Sequence, residues 1–206
     1  MTLAPAVSAS DNSRLSGVGG WLFRSRSWLP VPLVLLLLIG NWGRLGTPWI
    51  MATLGIALVV LGESTRIWAV RQIGVISRTR SGRLGRLVIE GPFRLVRNPL
   101  YVGNLLLWTG FTVWSGKLWL LPIAWTLFLL QYSAIIRFEE ELLRQRFGEE
   151  YVAFMASVPR WWPKLSNLGA TLRDRAEHPW RATLFSERGT LIAIAVISIL
   201  LLIVLR

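Results

Sequence analysis

The chain alternates between long apolar segments and arginine-rich polar segments. Five apolar segments stand out, at residues 28–46, 48–69, 99–115, 118–136 and 190–205. An α-helix rises about 1.5 Å per residue, so about 20 residues cross the ~30 Å hydrocarbon core of a bilayer. The third and fifth segments are short for a crossing and reach across only if they are tilted or anchored at their ends. The pattern predicts an all-α integral membrane bundle of about five transmembrane helices.

The polar segments suggest how the chain is organised. Residues 1–27 hold too few apolar side chains to pack a core, and we expect a flexible or interfacial N-terminal segment there. Residues 28–189 form the predicted membrane core, and residues 190–206 a C-terminal transmembrane helix. Because that last segment carries few polar residues beyond Ser198, we predict a packing or homodimer contact for it rather than a part in the site.

Composition and charge support a membrane protein. Of the 206 residues, 53% are hydrophobic and 12 are tryptophans, which is typical of a chain whose solvent is lipid. The net charge of +12 would suit nucleic acid, but the basic residues flank the apolar segments. The lipid bilayer is therefore the expected partner, and no nucleic acid is expected.

The basic residues also predict an orientation. With the N-terminus in the cytoplasm and five crossings, 19 basic residues lie on the cytoplasmic side and three lie opposite. An excess of Lys and Arg is typical of the cytoplasmic loops of membrane proteins. It predicts that the polar segments 70–98 and 137–189 both lie in the cytoplasm.

A short connection brings two polar motifs together. Residues 115–117, SGK, join the third and fourth apolar segments, so the two predicted helices form a tight hairpin. Their cytoplasmic ends must then be neighbours. We therefore expect RNPLYVG (97–103) to lie beside FEEELLRQRF (138–147).

The start of the third helix has the residues of an anion site. Asn98 is a favoured N-cap residue, and Pro99 suits the first helical position. A helix N-terminus with Arg94 and Arg97 beside it also attracts negative charge. The two interpretations are compatible, and they make Arg94, Arg97 and Asn98 candidates for ligand binding.

Two glycines frame the same stretch. Gly91 precedes the turn, and Gly103 lies about one helical turn past the cap. Either glycine would let backbone approach a ligand closely. For Gly103, a helix-packing role within the membrane is an equally good interpretation.

Three successive carboxylates begin where the fourth segment leaves the predicted membrane. Glu139, Glu140 and Glu141 could lie on a solvated helix, with Glu140 pairing to Arg144 four residues on. At a bilayer edge beside an arginine-rich segment, we favour contact with a cationic group of a ligand.

The second segment contains an acid and a base three residues apart. Glu63 and Arg66 could neutralise each other and extend toward the interface. Ionisable residues within a span otherwise mark a functional cavity. We treat Glu63 and Arg66 as secondary members of the site.

Several other chemistries are excluded. The chain has no cysteine and a single histidine, His178, so thiolate nucleophiles and histidine metal sites are not expected. GVGG at 17–20 has neither a preceding strand nor a following helix, and no phosphate-binding GxxxxGK[ST] motif occurs. A Rossmann domain is therefore not predicted.

Two stretches, GPFRLVRNPLYVGN (91–104) and EEELLRQRFGEEYVAFMASVPRWWP (139–163), resemble the motifs of a membrane enzyme superfamily. It contains the isoprenylcysteine carboxyl methyltransferases and the phospholipid N-methyltransferases. The resemblance implies S-adenosylmethionine as the cofactor, with S-adenosylhomocysteine as the product, bound at the cytoplasmic end of the hairpin. By the family pattern, the cofactor pocket is formed by residues of both motifs: Arg97, Asn98, Tyr101, Gly103, Glu139 and Glu140.

The complete predicted site joins the resemblance to the reasoning from the residues. Gly91 and Arg94 complete the cofactor-binding set, and the predicted catalytic residues are Arg97, Asn98, Tyr101 and Glu63. The family usually has histidine where this chain has Asn98, and an asparagine side chain cannot act as a base. A carboxylate acceptor needs none, whereas an amine must first lose a proton, for which Glu63, Glu139 and Tyr101 are the candidates.

The resemblance implies methyl transfer to a hydrophobic, membrane-embedded acceptor by an enzyme whose active site faces the cytoplasm. Isoprenylcysteine-type carboxyl O-methylation is the first expectation, and N-methylation of a phosphatidylethanolamine-type phospholipid is the alternative. Membrane sterol reductases share a similar C-terminal pattern but use NADPH, and a non-catalytic membrane scaffold is a further alternative. We expect a lipid or lipid-tailed acceptor as the second partner of the site.

Overall fold

The computed structural model describes residues 20–22, 25, 28, 30–39, 43–74 and 86–205. Most of the predicted N-terminal segment 1–27 therefore lies outside the described residues, as does Arg206. The described part is all-helical and contains no strand. Its α-helices are α1 Val31–Leu38, α2 Pro48–Ile73, α3 Pro99–Trp114, α4 Leu121–Phe147, α5 Glu149–Ser157, α6 Leu168–Arg173 and α7 Trp180–Val204. Single turns of 3-10 helix occur at Gly91–Arg94, Leu118–Leu120 and Leu165–Asn167.

Each of the five predicted segments contains a helix, and the all-α class is confirmed. Three helical stretches in the described residues are long and apolar enough to cross a bilayer: Pro48–Ile73, Leu118–Phe147 and Trp180–Val204. Helices α1 and α3, with 8 and 16 residues, are shorter than the ~20 residues of a straight crossing. The number of crossings and the orientation of the chain remain predictions.

The helices extend beyond the apolar segments. α2 continues to Ile73, α4 continues to Phe147, and α7 begins at Trp180 rather than near residue 190. Hydropathy marks the part of a helix that suits lipid, whereas the helix itself continues through polar residues whose side chains find partners. As a result, α7 includes Glu187, which is fully buried.

Helices α2 and α3 pack closely through glycines. A Cβ added at Gly55 would lie 2.6 Å from the carbonyl oxygen of Gly110, and one at Gly62 would lie 2.8 Å from that of Gly103. Small residues at such positions let two membrane helices approach backbone to backbone. A Cβ at Gly103 would also lie 2.5 Å from Cγ of Arg66, so this glycine serves helix packing.

The predicted hairpin of α3 and α4 is confirmed. Its core is aromatic: the ring centroids of Trp108 and Phe128 lie 5.4 Å apart, and those of Phe128 and Tyr132 lie 4.2 Å apart. The ring of Tyr101 lies 4.8 Å from that of Tyr132. This packing brings the start of α3 beside the end of α4, where the two sequence motifs lie.

A buried lysine holds α1 in place. Lys117, between α3 and α4, is fully buried and donates hydrogen bonds to the carbonyls of Leu36, Leu37 and Ile39, at 3.0, 3.0 and 2.7 Å. Carbonyls in the last turn of a helix lack partners within the helix, and a lysine can supply them. The contact fixes the end of α1 against the α3–α4 loop, and α1 then forms one wall of a cavity.

Candidate active site

A cavity of about 620 Å³ lies among α1, α2, α3, α4, α5 and α7, and residues of both sequence motifs line it. Five of the predicted site residues lie on its wall: Arg97, Asn98, Tyr101, Glu139 and Glu140. Farther from this polar end the wall is apolar and includes Leu37, Phe111 and Ile197. Its volume lies in the usual range for a small-molecule site.

Arg97 and Glu140 face each other at the polar end. Nη1 of Arg97 lies 3.5 Å from Oε1 of Glu140, and both side chains are largely buried. Arg160 approaches the same carboxylate, with Nε donating to Oε1 at 3.2 Å and Nη2 pairing with Oε2. The alternative in which Glu140 pairs with Arg144, four residues on, is therefore wrong: Arg144 lies 3.2 Å from Glu141 instead. The choice follows from burial, because Glu140 points inward and Glu141 outward.

The second motif holds the first in position through the backbone. The N–H of Arg97 donates to the carbonyl of Pro159 at 2.9 Å, and the N–H of Lys164 donates to that of Leu95 at 2.8 Å. Nε of Arg97 is buried and has no hydrogen-bond partner among the described residues. An anionic group in the cavity could accept a hydrogen bond from it.

Asn98 and Pro99 occupy the predicted positions, N-cap and first residue of α3. The Asn98 side chain makes no capping hydrogen bond, and its Nδ2 lies 3.5 Å from the carbonyl oxygen of Arg160. The side chain is thus oriented by the second motif rather than by its own helix. It presents a neutral amide to the cavity in place of an imidazole.

Tyr101 links the two motifs through its hydroxyl. The Tyr101 O–H donates to Oε2 of Glu139 at 2.8 Å, and both residues line the cavity. Another tyrosine on the wall, Tyr151 of α5, is almost fully buried. Burial raises the pKa of Tyr151, and the nearby Glu140 carboxylate raises it further. Its phenol therefore remains neutral at physiological pH.

A second polar cluster joins α2, α3 and α7. Nη2 of Arg66 donates to Oε2 of Glu187 at 2.7 Å and to the Thr190 hydroxyl at 2.9 Å, while Nη1 donates to Oδ1 of Asn104. Nε of Arg66 lies 3.3 Å from Glu63, which confirms the predicted proximity of that pair. Both side chains are buried rather than extended to the interface.

Sequence reasoning missed Asn104, Glu187 and Thr190. Arg66, Asn104 and Thr190 line the cavity together with Ala193 and Ile197. The last helix thus contributes to the cavity wall, contrary to the expectation that it serves only packing or dimer contacts. The sequence did contain a signal for this face of α7. Its residues recur at spacings of three and four, which place them on one side of a helix: Glu187, Thr190, Ile194 and Ile197.

Four predicted site residues lie away from the cavity wall. Gly103 packs against α2, and Glu63 does not line the cavity but contacts Arg66, which does. The Gly91 N–H and Nε of Arg94 both donate to Oδ2 of Asp174, each at 2.7 Å. Gly91 and Arg94 therefore tie the first motif to the loop between α6 and α7.

The contacts of Asp174 predict how the stability of the protein depends on pH. Although burial raises the pKa of Asp174, the hydrogen bonds from Arg94 and Gly91 hold it below its ordinary value. The stability gained from the ionised carboxylate is then present above the unfolded-state pKa of about 3.9 and is lost as pH falls through the lower folded-state value. Asp174→Asn is expected to lower the thermal unfolding midpoint by about 1 to 3 °C at pH 7, and the difference should shrink below about pH 4.

Differential scanning fluorimetry of both proteins between pH 3 and pH 8 would measure this. Glu141→Gln, in an exposed pair with Arg144, is the matched control and should leave the midpoint unchanged. Equal midpoints for wild type and Asp174→Asn at pH 7, or a difference that widens in acid, would contradict the assignment.

Comparison with known proteins agrees with the motifs. The phospholipid methyltransferase family model matches residues 50–150, a range that contains Arg66, Arg97, Tyr101 and Glu140. The chain is 30% identical over 126 residues to protein-S-isoprenylcysteine O-methyltransferase B of Arabidopsis thaliana, covering 56% of this chain and 60% of that one. The match thus spans about three fifths of that enzyme. No solved structure matches the chain.

Two bacterial relatives have names that refer to metals. The nickel-cobalt-cadmium resistance protein NccN of Alcaligenes xylosoxydans xylosoxydans is 29% identical over 197 residues, covering 87% of this chain and 86% of that one. The cobalt-zinc-cadmium resistance protein CzcN of Cupriavidus metallidurans is 33% identical over 140 residues, covering 66% and 61%. In the described part of this chain, no group of three or more His, Cys, Asp or Glu side chains could hold a metal ion, and nothing there explains those names.

The family match includes Arg97 of the first motif and Glu139 and Glu140 of the second, and the fold brings these three side chains to one cavity beside the hairpin of α3 and α4. The match to the phospholipid methyltransferase family model and the similarity to isoprenylcysteine O-methyltransferases support a methyltransferase of the membrane superfamily that contains both kinds of enzyme.

Proposed function

We propose that this methyltransferase transfers a methyl group from S-adenosylmethionine to the head group of an amphiphilic acceptor drawn from the bilayer. The observation that carries the proposal is the cavity itself, which joins a charged end at Arg97 and Glu140 to an apolar region between membrane helices. One end suits a small zwitterion and the other suits a hydrocarbon tail.

The residues at the polar end fit the donor. S-adenosylmethionine carries a carboxylate, an ammonium and a sulfonium. Nε of Arg97, buried and without a hydrogen-bond partner in the described residues, can donate to the carboxylate. Glu139, held by the Tyr101 hydroxyl, can accept from the ammonium or a ribose hydroxyl. Arg97, Asn98, Tyr101, Glu139 and Glu140 form our proposed donor site.

The apolar end fits a lipid tail. Three helices each direct a stripe of apolar side chains to the cavity, with Leu33 and Leu37 on α1, Leu107 and Phe111 on α3, and Ile194 and Ile197 on α7. Residues three, four or seven apart share one face of a helix, so the stripes run along the helix axes. An acceptor with a long chain would bury that chain between them.

When bound, S-adenosylmethionine supplies the methyl group: a lone pair of the acceptor forms a bond to the methyl carbon as the carbon–sulfur bond breaks, and its electron pair stays on sulfur. The chain's own residues align donor and acceptor and exclude water, which can supply much of the rate enhancement. A carboxylate acceptor needs no base, consistent with Asn98 where the family usually has histidine. An isoprenylcysteine-type carboxylate is our first candidate for the acceptor, and the similarity to the Arabidopsis enzyme supports it.

A phospholipid amine is the second candidate, and the description of the matching family supports it. An ammonium acceptor must release a proton before it can attack. Glu139, on the cavity wall, is the carboxylate that we propose to receive it. The charge bias of 19 to 3 supports a polar end that opens to the cytosol, where S-adenosylmethionine is available.

Incubation with methyl-tritiated S-adenosylmethionine tests the proposal. The full chain in nanodiscs would be given a membrane lipid extract, N-acetyl-S-farnesylcysteine or phosphatidylethanolamine, and label would be sought in the organic phase. We expect label in one acceptor and none after heat inactivation. A folded wild-type protein that binds no S-adenosylmethionine would overturn the proposal, and NADPH competing for the same site would indicate the reductase alternative.

A further inference from the structure

The Arg66 cluster is not explained by the donor site. Arg66 lies on α2 and Glu187 on α7, within two of the three helices that are long and apolar enough to cross a membrane. The Arg66 side chain is only 6% exposed, and the Glu187 side chain is fully buried. Ionisable groups in a membrane span are costly and generally mark a functional path.

The cluster lies beside the donor site but separate from it. Tyr101, which contacts Glu139, precedes Asn104, which contacts Arg66, by three residues on α3. Three residues advance an α-helix by about 4.5 Å, so the two polar groups are about one turn apart. Tyr132 contacts both residues: its hydroxyl accepts a hydrogen bond from Nδ2 of Asn104 at 3.0 Å, and its ring centroid lies 4.8 Å from that of Tyr101.

The neighbours of Arg66 hold its guanidinium in one orientation. Glu63 lies on the Nε side, whereas Glu187 and Thr190 accept both bonds from Nη2. Nη1 carries two N–H groups, and in the described residues its hydrogen-bond acceptor is the neutral amide of Asn104. The Nη1 edge, away from both carboxylates, therefore retains a donor for a ligand.

Beyond the cluster, the cavity wall changes from polar to apolar. On α7 the lining residues run from Ser186 and Thr190 to Ala193, Ile194 and Ile197. On α3 they run from Asn104 to Leu107 and Phe111. Arg66 thus lies where the head of an amphiphile would meet its tail.

We propose that Arg66 binds an anionic oxygen of the acceptor's head group through its Nη1 edge, and that Glu187 and Thr190 are positioning residues that hold the guanidinium for this contact. The inference rests on the proposed function and adds a residue-level acceptor site to it. The chemistry recognised is an anionic oxygen next to a long apolar chain. Either a prenylcysteine-type carboxylate or the phosphodiester of a phospholipid would supply it.

The test measures acceptor binding separately from donor binding. Full-length wild type, Arg66→Gln and Arg66→Lys in nanodiscs would be titrated with N-acetyl-S-farnesylcysteine, with its neutral methyl ester and with lysophosphatidylethanolamine, all without donor. Loss of a charge-assisted hydrogen bond predicts about ten- to a hundredfold weaker binding of at least one anionic amphiphile to Arg66→Gln, with partial recovery in Arg66→Lys. The ester should bind both variants as it binds wild type.

Two further variants guard against a general loss of structure. Thr190→Val keeps the side-chain volume and removes one support of the guanidinium, so it should weaken binding of the same probe by a smaller factor. Arg188→Gln, at an exposed arginine whose Nη1 donates to the carbonyl of Phe185, is the matched control and should bind all probes normally.

The outcomes separate the two proposals. Donor affinity within about twofold of wild type in Arg66→Gln, with weakened acid or phosphodiester binding, supports an acceptor role, and the probe affected identifies the source of the anion. Equal losses for the acid and the ester, a parallel loss of donor affinity, or no binding of either anionic probe to wild type would overturn it. Absence of donor binding to wild type would instead count against the proposed function.

Discussion

Arg97→Ala is expected to weaken S-adenosylmethionine binding by about a hundredfold or more, because the proposed carboxylate contact is lost inside a largely buried site. Removing the guanidinium also leaves Glu140 with Arg160 as its remaining arginine partner in the described residues. Equilibrium binding of tritiated S-adenosylmethionine to nanodisc-embedded protein would measure the change.

Two other arginines make this experiment specific. Arg144→Ala removes an exposed arginine of α4, the helix that carries Glu140, and should leave donor affinity unchanged. Arg94→Ala is more informative, because the sequence predicts Arg94 in the cofactor site whereas the structure pairs it with Asp174. We expect Arg94→Ala to lower thermal stability. Its donor affinity should stay within about threefold of wild type, a smaller change in binding free energy than the ~1.4 kcal/mol that corresponds to tenfold. Wild-type affinity in Arg97→Ala would contradict the proposed donor site.

Gly55→Val is expected to prevent normal folding. A Cβ at this position would lie 2.5 Å from the backbone nitrogen of Trp114 and 2.6 Å from the carbonyl oxygen of Gly110. Backbone atoms of a helix cannot move aside singly, so α2 and α3 would have to separate. Overpacking typically costs about 1 to 3 kcal/mol or more, and here it would also disturb the Arg66 cluster, which depends on the same helix pair.

Fluorescence-detected size-exclusion chromatography after a temperature series would measure the loss of folded protein. Gly169→Ala, on α6, is the matched control, because a Cβ there would meet no atom within 4 Å. We expect the control to match wild type and Gly55→Val to give little monodisperse protein. A wild-type melting profile for Gly55→Val would show that the two helices do not pack as closely as described.

The architecture and the central pair of the site could be predicted from the sequence for physical reasons. Apolar segments of membrane length must be helical, since a backbone in lipid has to satisfy its own hydrogen bonds. The three-residue connection 115–117 then makes the two helices antiparallel neighbours, so the start of α3 lies beside the last part of α4. The proximity of Arg97 and Glu140, 43 residues apart in the chain, follows from those two constraints.

Helix phase and close helix contacts were decided by the tertiary structure. Hydropathy averages over a window, so it marked residues 190–205 and excluded Glu187, although the helix begins at Trp180. Glu187 meets Arg66, which lies 121 residues earlier in the chain, because of how α7 is rotated about its axis relative to α2. The same limit applies to Glu140: its local spacing allowed a pair with Arg144, whereas its burial selects Arg97 and Arg160.

The sequence by itself determined which segments suit lipid and which suit water, that α3 and α4 form a hairpin, and that the two charged motifs lie side by side. These features depend on composition and on short connections along the chain. Tertiary structure alone decided that Gly103 packs against α2, that Gly91 and Arg94 bind Asp174, and that the last helix lines the cavity. Such contacts depend on the distance and rotation between helices, and no local pattern specifies either quantity.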